Sequence, residues 1–100
     1  MLSLMGGYEW DENKNKKNLE KHKISFEVAI DIFKNPVLTK LDTRDYKGEI
    51  RFLSIGKIDD NVYLFIVWTQ RNINKRIISV RSASNKERKI YYEYIERRTT

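Results

Sequence analysis

The clearest pattern of hydrophobic and polar positions lies between residues 62 and 82. Residues 62–70 form a nearly unbroken apolar, β-branched and aromatic run, which predicts a strand buried on both faces at the centre of a sheet. Residues 75–82 have apolar positions in the middle and Lys or Arg near both ends, which predicts a second strand. The asparagine-containing residues 71–74 suit a hairpin loop between them. The two strands are therefore predicted to hold cations at fixed positions on a rigid scaffold.

Helical spacing precedes these strands. Residues 11–21 predict a polar helix with Asp11 as its N-cap, which ends near Lys23. Ser25 is the N-cap candidate of a second helix, and Pro36 stops it. Its apolar face has the spacing i, i+3, i+4, i+7 and consists of Phe26, Ala29, Ile30 and Phe33.

Residues 37–43 and 49–57 predict two more strands, and Ser84 and Glu87 predict a capping box that opens a last helix ending near Arg98. We therefore expect an α+β fold, with two N-terminal helices and a C-terminal helix around an antiparallel sheet of about four to five strands. Residues 1–7 are expected to be a loose leader, and residues 8–98 a single domain.

Composition narrows the class of protein. The chain has 100 residues, no cysteine and one histidine, so disulfides and Cys- or His-rich metal sites are excluded. No apolar run approaches the roughly 20 residues that a membrane-spanning helix needs. The first residues lack the basic region of a signal peptide. We therefore expect a cytoplasmic protein without membrane association.

Charge is concentrated at one end of the chain. The net charge is +6, and residues 71–100 carry the whole excess, since Lys and Arg balance Asp and Glu in residues 1–70. A concentrated basic patch is typical of a polyanion-binding surface, although it can also be a solvated surface with no partner. Residues 71–100 are called the basic third below. Four of its cations are candidate contacts to RNA phosphates: Lys75, Lys86, Arg88 and Lys89.

Several chemistries are excluded by residue spacing. The four glycines are scattered, so there is no phosphate-binding loop, and the acidic residues show no metal-ligand spacing. We expect neither a metal nor a cofactor. Cations on rigid strands can bind RNA, or they can stabilise the extra negative charge of the phosphorane formed when a 2′-OH attacks the adjacent phosphate.

Two questions stay open at this point. The general base of such a reaction would be Glu49, His22 or a perturbed lysine, because arginine stays protonated. Arg76 and Arg81 are five positions apart, so they face opposite sides of a regular strand and would share one site only through a bulge or by acting from its two ends.

The order and spacing of several short motifs resemble the BrnT toxin family over about residues 8–94. The motifs are Tyr8-Glu9-Trp10-Asp11, Asn18-Leu19-Glu20-Lys21-His22, Ile24-Ser25-Phe26-Glu27, Gly48-Glu49-Ile50-Arg51-Phe52, Trp68-Thr69-Gln70-Arg71 and Arg76-Ile77-Ile78-Ser79-Val80-Arg81-Ser82-Ala83. One departure is Lys23, which stands where the family usually has glycine after the Lys-His pair.

The resemblance implies a RelE-like ribonuclease that arrests growth as the toxin of a type II toxin–antitoxin pair. Its partner would be a BrnA-like antitoxin with a ribbon-helix-helix DNA-binding domain, which neutralises the toxin and connects it to operator DNA. The implied catalytic residues are Lys21, His22, Glu49, Arg51, Arg71, Arg76 and Arg81. The alternatives are a noncatalytic nucleic-acid-binding module and an antitoxin-type interaction protein whose basic third meets an acidic partner.

Overall fold

A six-stranded mixed sheet forms the centre of the protein. The computed structural model describes residues 2–97, without the side chains of Ser3, Asp45 and Glu96. The strands are β1 (Leu2–Met5), β2 (Tyr8–Asp11), β3 (Leu38–Tyr46), β4 (Glu49–Asp59), β5 (Val62–Arg71) and β6 (Asn74–Ser82). The helical elements are α1 (Glu12–His22), α2 (Phe26–Ala29), a 3-10 turn (Ile30–Lys34), α3 (Asn85–Tyr91) and a π-helical turn (Tyr92–Glu96).

The strand order is β1-β2-β6-β5-β4-β3. All neighbours are antiparallel except β2 and β6, which pair in parallel. The α+β class and the antiparallel β5–β6 hairpin are confirmed. The expectation of an antiparallel sheet of about four to five strands is wrong, because Leu2–Met5 add a further strand and Tyr8–Asp11 join β6 in parallel.

The expected loose leader is also wrong for residues 2–5. Leu2–Met5 pair with Tyr8–Asp11 as an antiparallel hairpin. Gly6 and Gly7 connect the two strands with φ of 52° and 91°, the positive values that a two-residue hairpin turn requires. Residues 2–5 therefore form a strand at the edge of the sheet.

The helices differ from the prediction in extent. Asp11 caps α1 and Ser25 caps α2, as expected, but α2 has only four residues before the backbone tightens into the 3-10 turn. Ser84 and Glu87 form the predicted capping box of α3. The last helix is α-helical only to Tyr91, and its predicted end at Arg98 lies outside the described residues. None of the helices between residues 2 and 97 has the length and apolar character needed to cross a bilayer.

The main core lies between the sheet and the segment from α2 to the 3-10 turn. Phe26, Ala29, Ile30 and Ile32 pack there against Trp10 and against apolar residues of β5 and β6, while Phe33 is partly buried beside them. The opposite face of the sheet is covered only in part, by α3, whose Tyr91 ring contacts Tyr63 edge-on. That less covered face, called the open face below, is therefore available for function.

Candidate active site

Arg76 and Arg81 both lie on the open face of β6. Their cross-strand partners on β5 are Thr69 and Phe65, which are four positions apart and therefore share a face. The odd spacing of the arginines is compensated at Ile78, because Val67 pairs with Ser79 and Trp68 pairs with Ile77. Ile78 is thus the extra residue of a β-bulge. Of the two ways in which the arginines could share one site, a bulge or action from the two ends of the strand, the structure therefore has the bulge.

Arg76 is held by a carboxylate from the other end of the chain. Glu9, its partner in the parallel β2–β6 pairing, accepts from Nη1 of Arg76 at 2.8 Å and from Nδ2 of Asn74 at 3.3 Å. Glu9 is 7 % exposed, so this carboxylate is fixed beneath the surface of the site. The arginine uses one of its five N–H donors here and keeps others for a ligand.

Glu49 joins two further candidate arginines on the open face. Its Oε1 accepts from Nε of Arg51 and its Oε2 accepts from Nη2 of Arg71, both at 3.0 Å. Hydrogen bonds from Arg51 and then Arg71 lower the pKa of this carboxyl. The Arg51 guanidinium also lies 3.9 Å from the centre of the Tyr46 ring. A carboxylate stabilised in its charged form by two arginines is a weak proton acceptor.

Arg81 lies where α3 meets the sheet. Its two Nη atoms donate to the two carboxylate oxygens of Glu87 at 2.7 and 2.8 Å, and its guanidinium lies 4.1 Å from the centre of the Phe65 ring. The hydrogen bonds from Arg81, followed by the one from the Ser84 backbone, lower the pKa of Glu87. Glu87 therefore caps α3 and orients Arg81 at the same time.

Lys21 and His22 lie beside β6 at the end of α1. This helix runs along the edge of β6, where Oδ1 of Asn18 accepts from the backbone N–H of Val80 at 3.1 Å. A cleft of about 210 Å³ separates helix and strand, and Lys21, His22, Ile78 and Ser79 all line it. Ser79 lies between Arg76 and Arg81 along β6, so the cleft that holds the lone histidine borders the strand that carries both arginines.

The candidate RNA-binding residues are not brought together. Lys75 lies on the face opposite to Arg76, with Nζ 5.2 Å from the centre of the Trp68 ring and 5.5 Å from that of Phe33. Arg88 stacks on the Tyr63 ring at 4.6 Å. Lys86 and Lys89 are exposed on α3. Lys75 is therefore separated by the sheet from the arginines, and Arg88 is already packed against a ring.

Two residues of this surface were missing from the sequence-based candidates. Glu9 lies between Tyr8 and Trp10 in a short apolar strand, and a carboxylate in that setting is a signal of a buried ion pair. Ser79 lies at the centre of the arginine-rich strand, but only the bulge shows which face it takes. Among the side chains that the structure describes, no group of three or more His, Asp or Glu has the arrangement of a metal site.

The arrangement can bind and polarise phosphate groups. It offers guanidinium groups with fixed orientations, a lysine and an imidazole around one strand. Guanidinium forks match phosphate oxygens, and an imidazole can transfer protons near neutral pH.

Known proteins resemble this chain in sequence and in fold. A family model described as ribonuclease toxin, BrnT, of type II toxin–antitoxin system matches residues 10–87. The 1.1 Å crystal structure of the Brucella abortus ribonuclease toxin BrnT is similar in fold, with a TM-score of 0.57 and 24 % identity over 76 % of this chain and 94 % of that one. None of the curated proteins compared with the chain matches it. Because the family match spans most of the sequence, the chain belongs to the BrnT family of ribonuclease toxins of type II toxin–antitoxin systems.

Proposed function

We propose that this toxin is a metal-independent endoribonuclease that cleaves RNA by 2′-OH attack, in the manner of RelE-type ribonucleases. The observation that carries the proposal is the bulge at Ile78, which brings Arg76 and Arg81 onto one face of β6, the strand whose Ile78 and Ser79 share a cleft with His22. Positive charge at the site is supplied by side chains on strands and a helix. Such preorganised cations stabilise a transition state that gains negative charge.

The proposed reaction is an internal transesterification. A base removes the proton from a ribose 2′-OH, the oxygen attacks the adjacent phosphorus, and the bond from phosphorus to the 5′-oxygen breaks. The leaving 5′-oxygen takes up a proton, so the products are a 2′,3′-cyclic phosphate and a 5′-hydroxyl. Arg76 and Arg81 would stabilise the phosphorane between these steps, because their charge is felt more strongly as the phosphoryl oxygens become more negative.

His22 is the proton-transfer group that we assign. It is partly exposed in the cleft beside Ser79, whereas Glu49 is bound by two arginines that hold it in its charged form. Lys21 lines the same cleft and would contact the phosphate. Arg51 and Arg71, which Glu49 holds together, lie at the neighbouring end of the open face. We assign them to binding a flanking nucleotide.

We further propose a BrnA-like antitoxin with a ribbon-helix-helix domain as the partner, through which the pair would reach operator DNA. The toxin would act on RNA in the cytoplasm. Expression of the chain alone should then stop bacterial growth, and the His22→Gln variant should restore it. Growth arrest that persists in a soluble variant lacking both His22 and Arg76 would contradict a ribonuclease mechanism.

Single-turnover cleavage in EDTA tests the chemistry. Arg76→Ala and Arg81→Ala should each lower the rate about a hundredfold or more, as loss of one electrostatic donor does, while RNA binding changes little. Lysine should rescue poorly, since it lacks the planar fork. Lys34→Ala removes an ion-paired cation distant from the open face and is the matched control.

Three outcomes separate the candidate functions. If the parent protein binds RNA but leaves it intact, both free and on ribosomes, the noncatalytic binding module is correct. If it neither binds nor cleaves, the basic third serves a protein partner. If Lys34→Ala is as slow as the arginine variants, the site is assigned to the wrong residues.

A further inference from the structure

Three lysines follow the cleft between α1 and β6. Lys14, Lys17 and Lys21 have the spacing i, i+3, i+7, and all three line the cleft together with Ile78 and Ser79. Lys16 belongs to the same helix but lies outside the cleft. The cations are therefore sorted by helix face, and one face points toward the strand that carries Arg76 and Arg81.

These lysines differ from the arginines in their partners. Arg71, Arg76 and Arg81 each form an ion pair with a carboxylate of the chain. Among the described residues, none of the three cleft lysines has a carboxylate within salt-bridge distance. Asp11 interacts electrostatically with Lys14 without forming an ion pair. An incoming anion can therefore bind these lysines without first displacing an ion-paired carboxylate.

We propose that Lys14, Lys17 and Lys21 form a binding track for consecutive phosphates of single-stranded RNA, which leads the strand to His22 and Ser79. The proposal rests on the proposed function, because it supplies the path by which the substrate enters that site. Seven residues of α-helix span about 10.5 Å along the axis, so the track holds a short stretch of backbone flanking the cleaved bond. The track is a binding element, and the chemical step belongs to the site at its end.

The occupant is a single strand for two reasons. In-line attack by a 2′-OH requires a backbone that can leave the regular A-form geometry, and base pairing prevents this. The cleft is also small, at about 210 Å³, so a duplex cannot enter it. Lysines along a groove that contact phosphates without reading bases are typical of sequence-tolerant single-strand binding.

Salt-dependent binding of a non-cleavable RNA tests the track. The probe is a fluorescent, uniformly 2′-O-methylated oligonucleotide, which lacks the nucleophile and therefore reports binding alone. Each lost phosphate contact lowers the slope of log affinity against log salt by about 0.7 for a single strand. Affinity falls between roughly 50 and 200 mM salt, and this fall should be about sevenfold smaller for the double variant Lys14→Gln/Lys17→Gln than for the parent. Lys16→Gln, the matched control, should change the slope by much less than one contact.

Cleavage of natural RNA separates this proposal from the one on which it rests. The double variant should need a higher RNA concentration for half-maximal rate, while its rate at saturating RNA stays that of the parent. A slope and a half-maximal concentration equal to those of Lys16→Gln would overturn the track and leave ribonuclease activity intact. A parent that binds the probe with the predicted slopes but never cleaves would overturn the proposed function and keep the track. If an acidic peptide binds the parent more tightly than the double variant, while RNA binds both equally, the face contacts protein and the proposal is wrong.

Discussion

Arg76 and Arg81 lie on one face of β6 although five positions separate them, because Ile78 is an extra residue in the ladder. Each is held by a carboxylate from a different element, Glu9 of β2 for Arg76 and Glu87 of α3 for Arg81. The orientation of each guanidinium therefore depends on a second part of the fold, and these carboxylates can be changed without removing the arginines.

Glu9→Gln should separate RNA binding from turnover. The variant loses a buried negative charge beside Arg76, so RNA affinity should rise slightly, while the less restrained guanidinium should lower the single-turnover rate by roughly tenfold. Glu20→Gln removes a carboxylate from α1 outside the site and is the control for charge. Both quantities follow from cleavage and anisotropy titrations of the same preparations. A single-turnover rate equal to that of the control would mean that Glu9 does not orient Arg76 for the reaction.

Stability should depend on pH through Glu87. Its folded-state pKa is lowered, chiefly by hydrogen bonds from Arg81, so its contribution is fully present above the unfolded carboxyl pKa of about 4.3. The contribution is lost as pH falls through the lower, folded-state pKa. The free energy of unfolding of the parent should therefore exceed that of Glu87→Gln at pH 6, and the difference should shrink progressively below about pH 4.3. Urea unfolding of both proteins across this range measures it, and a constant difference would exclude the ion pair as the source.

Lys23→Gly should stabilise the protein. Lys23 ends α1 in the left-handed conformation, with φ of 63°, and its N–H donates to the Leu19 carbonyl at 2.9 Å. A residue with a Cβ is strained there, whereas glycine is not, so the gain should be about 0.5–1 kcal/mol after the entropy of the unfolded glycine is included. Lys16→Gly, inside the same helix, should have the opposite sign, at a cost of about 1 kcal/mol. Chemical denaturation decides between them, and two losses of equal size would show that Lys23 is unstrained.

Gly56→Ala should destabilise the fold by overpacking. A Cβ at this position of β4 would lie 2.9 Å from Cβ of Ile32 and 3.0 Å from Cγ1 of Val37. Insertion of a methyl group into such a contact costs about 1–3 kcal/mol. Because Val37→Ala removes one of the crowded atoms, the double variant should be less destabilised than the sum of the single variants. Strict additivity in thermal or urea unfolding would show that the 3-10 turn moves away freely.

Local features of the fold could be predicted from the sequence. The unbroken apolar run of β5, the Asn-containing turn after it and the capping side chains Asp11, Ser25 and Ser84 each act within a few residues, so their sequence pattern is sufficient. The shortness of α2 was not predictable in this way, since the 3-10 turn that follows still packs Ile30 and Phe33 at the core and adds Ile32.

Features that depend on distant pairing could not be predicted. The bulge at Ile78 leaves no mark in the apolar pattern of β6, so the shared face of Arg76 and Arg81 followed only from the register with β5. Lys75 was grouped with the arginines by proximity in sequence, yet alternation along the strand places it on the other face. Glu9 was overlooked because a parallel pairing across most of the chain has no local signal.

The parallel pairing of β2 with β6 also sets when the site can form during synthesis. Glu9 and Arg76 are 67 residues apart, and the loop between them must close before their ion pair exists. A growing chain that has exposed only its first five strands has neither Arg76 nor Arg81, and β2 has no neighbour on the side that β6 will occupy. The proposed cleavage site therefore cannot assemble before the last third of the chain is available, and unfinished chains on the ribosome would be harmless to the RNA around them.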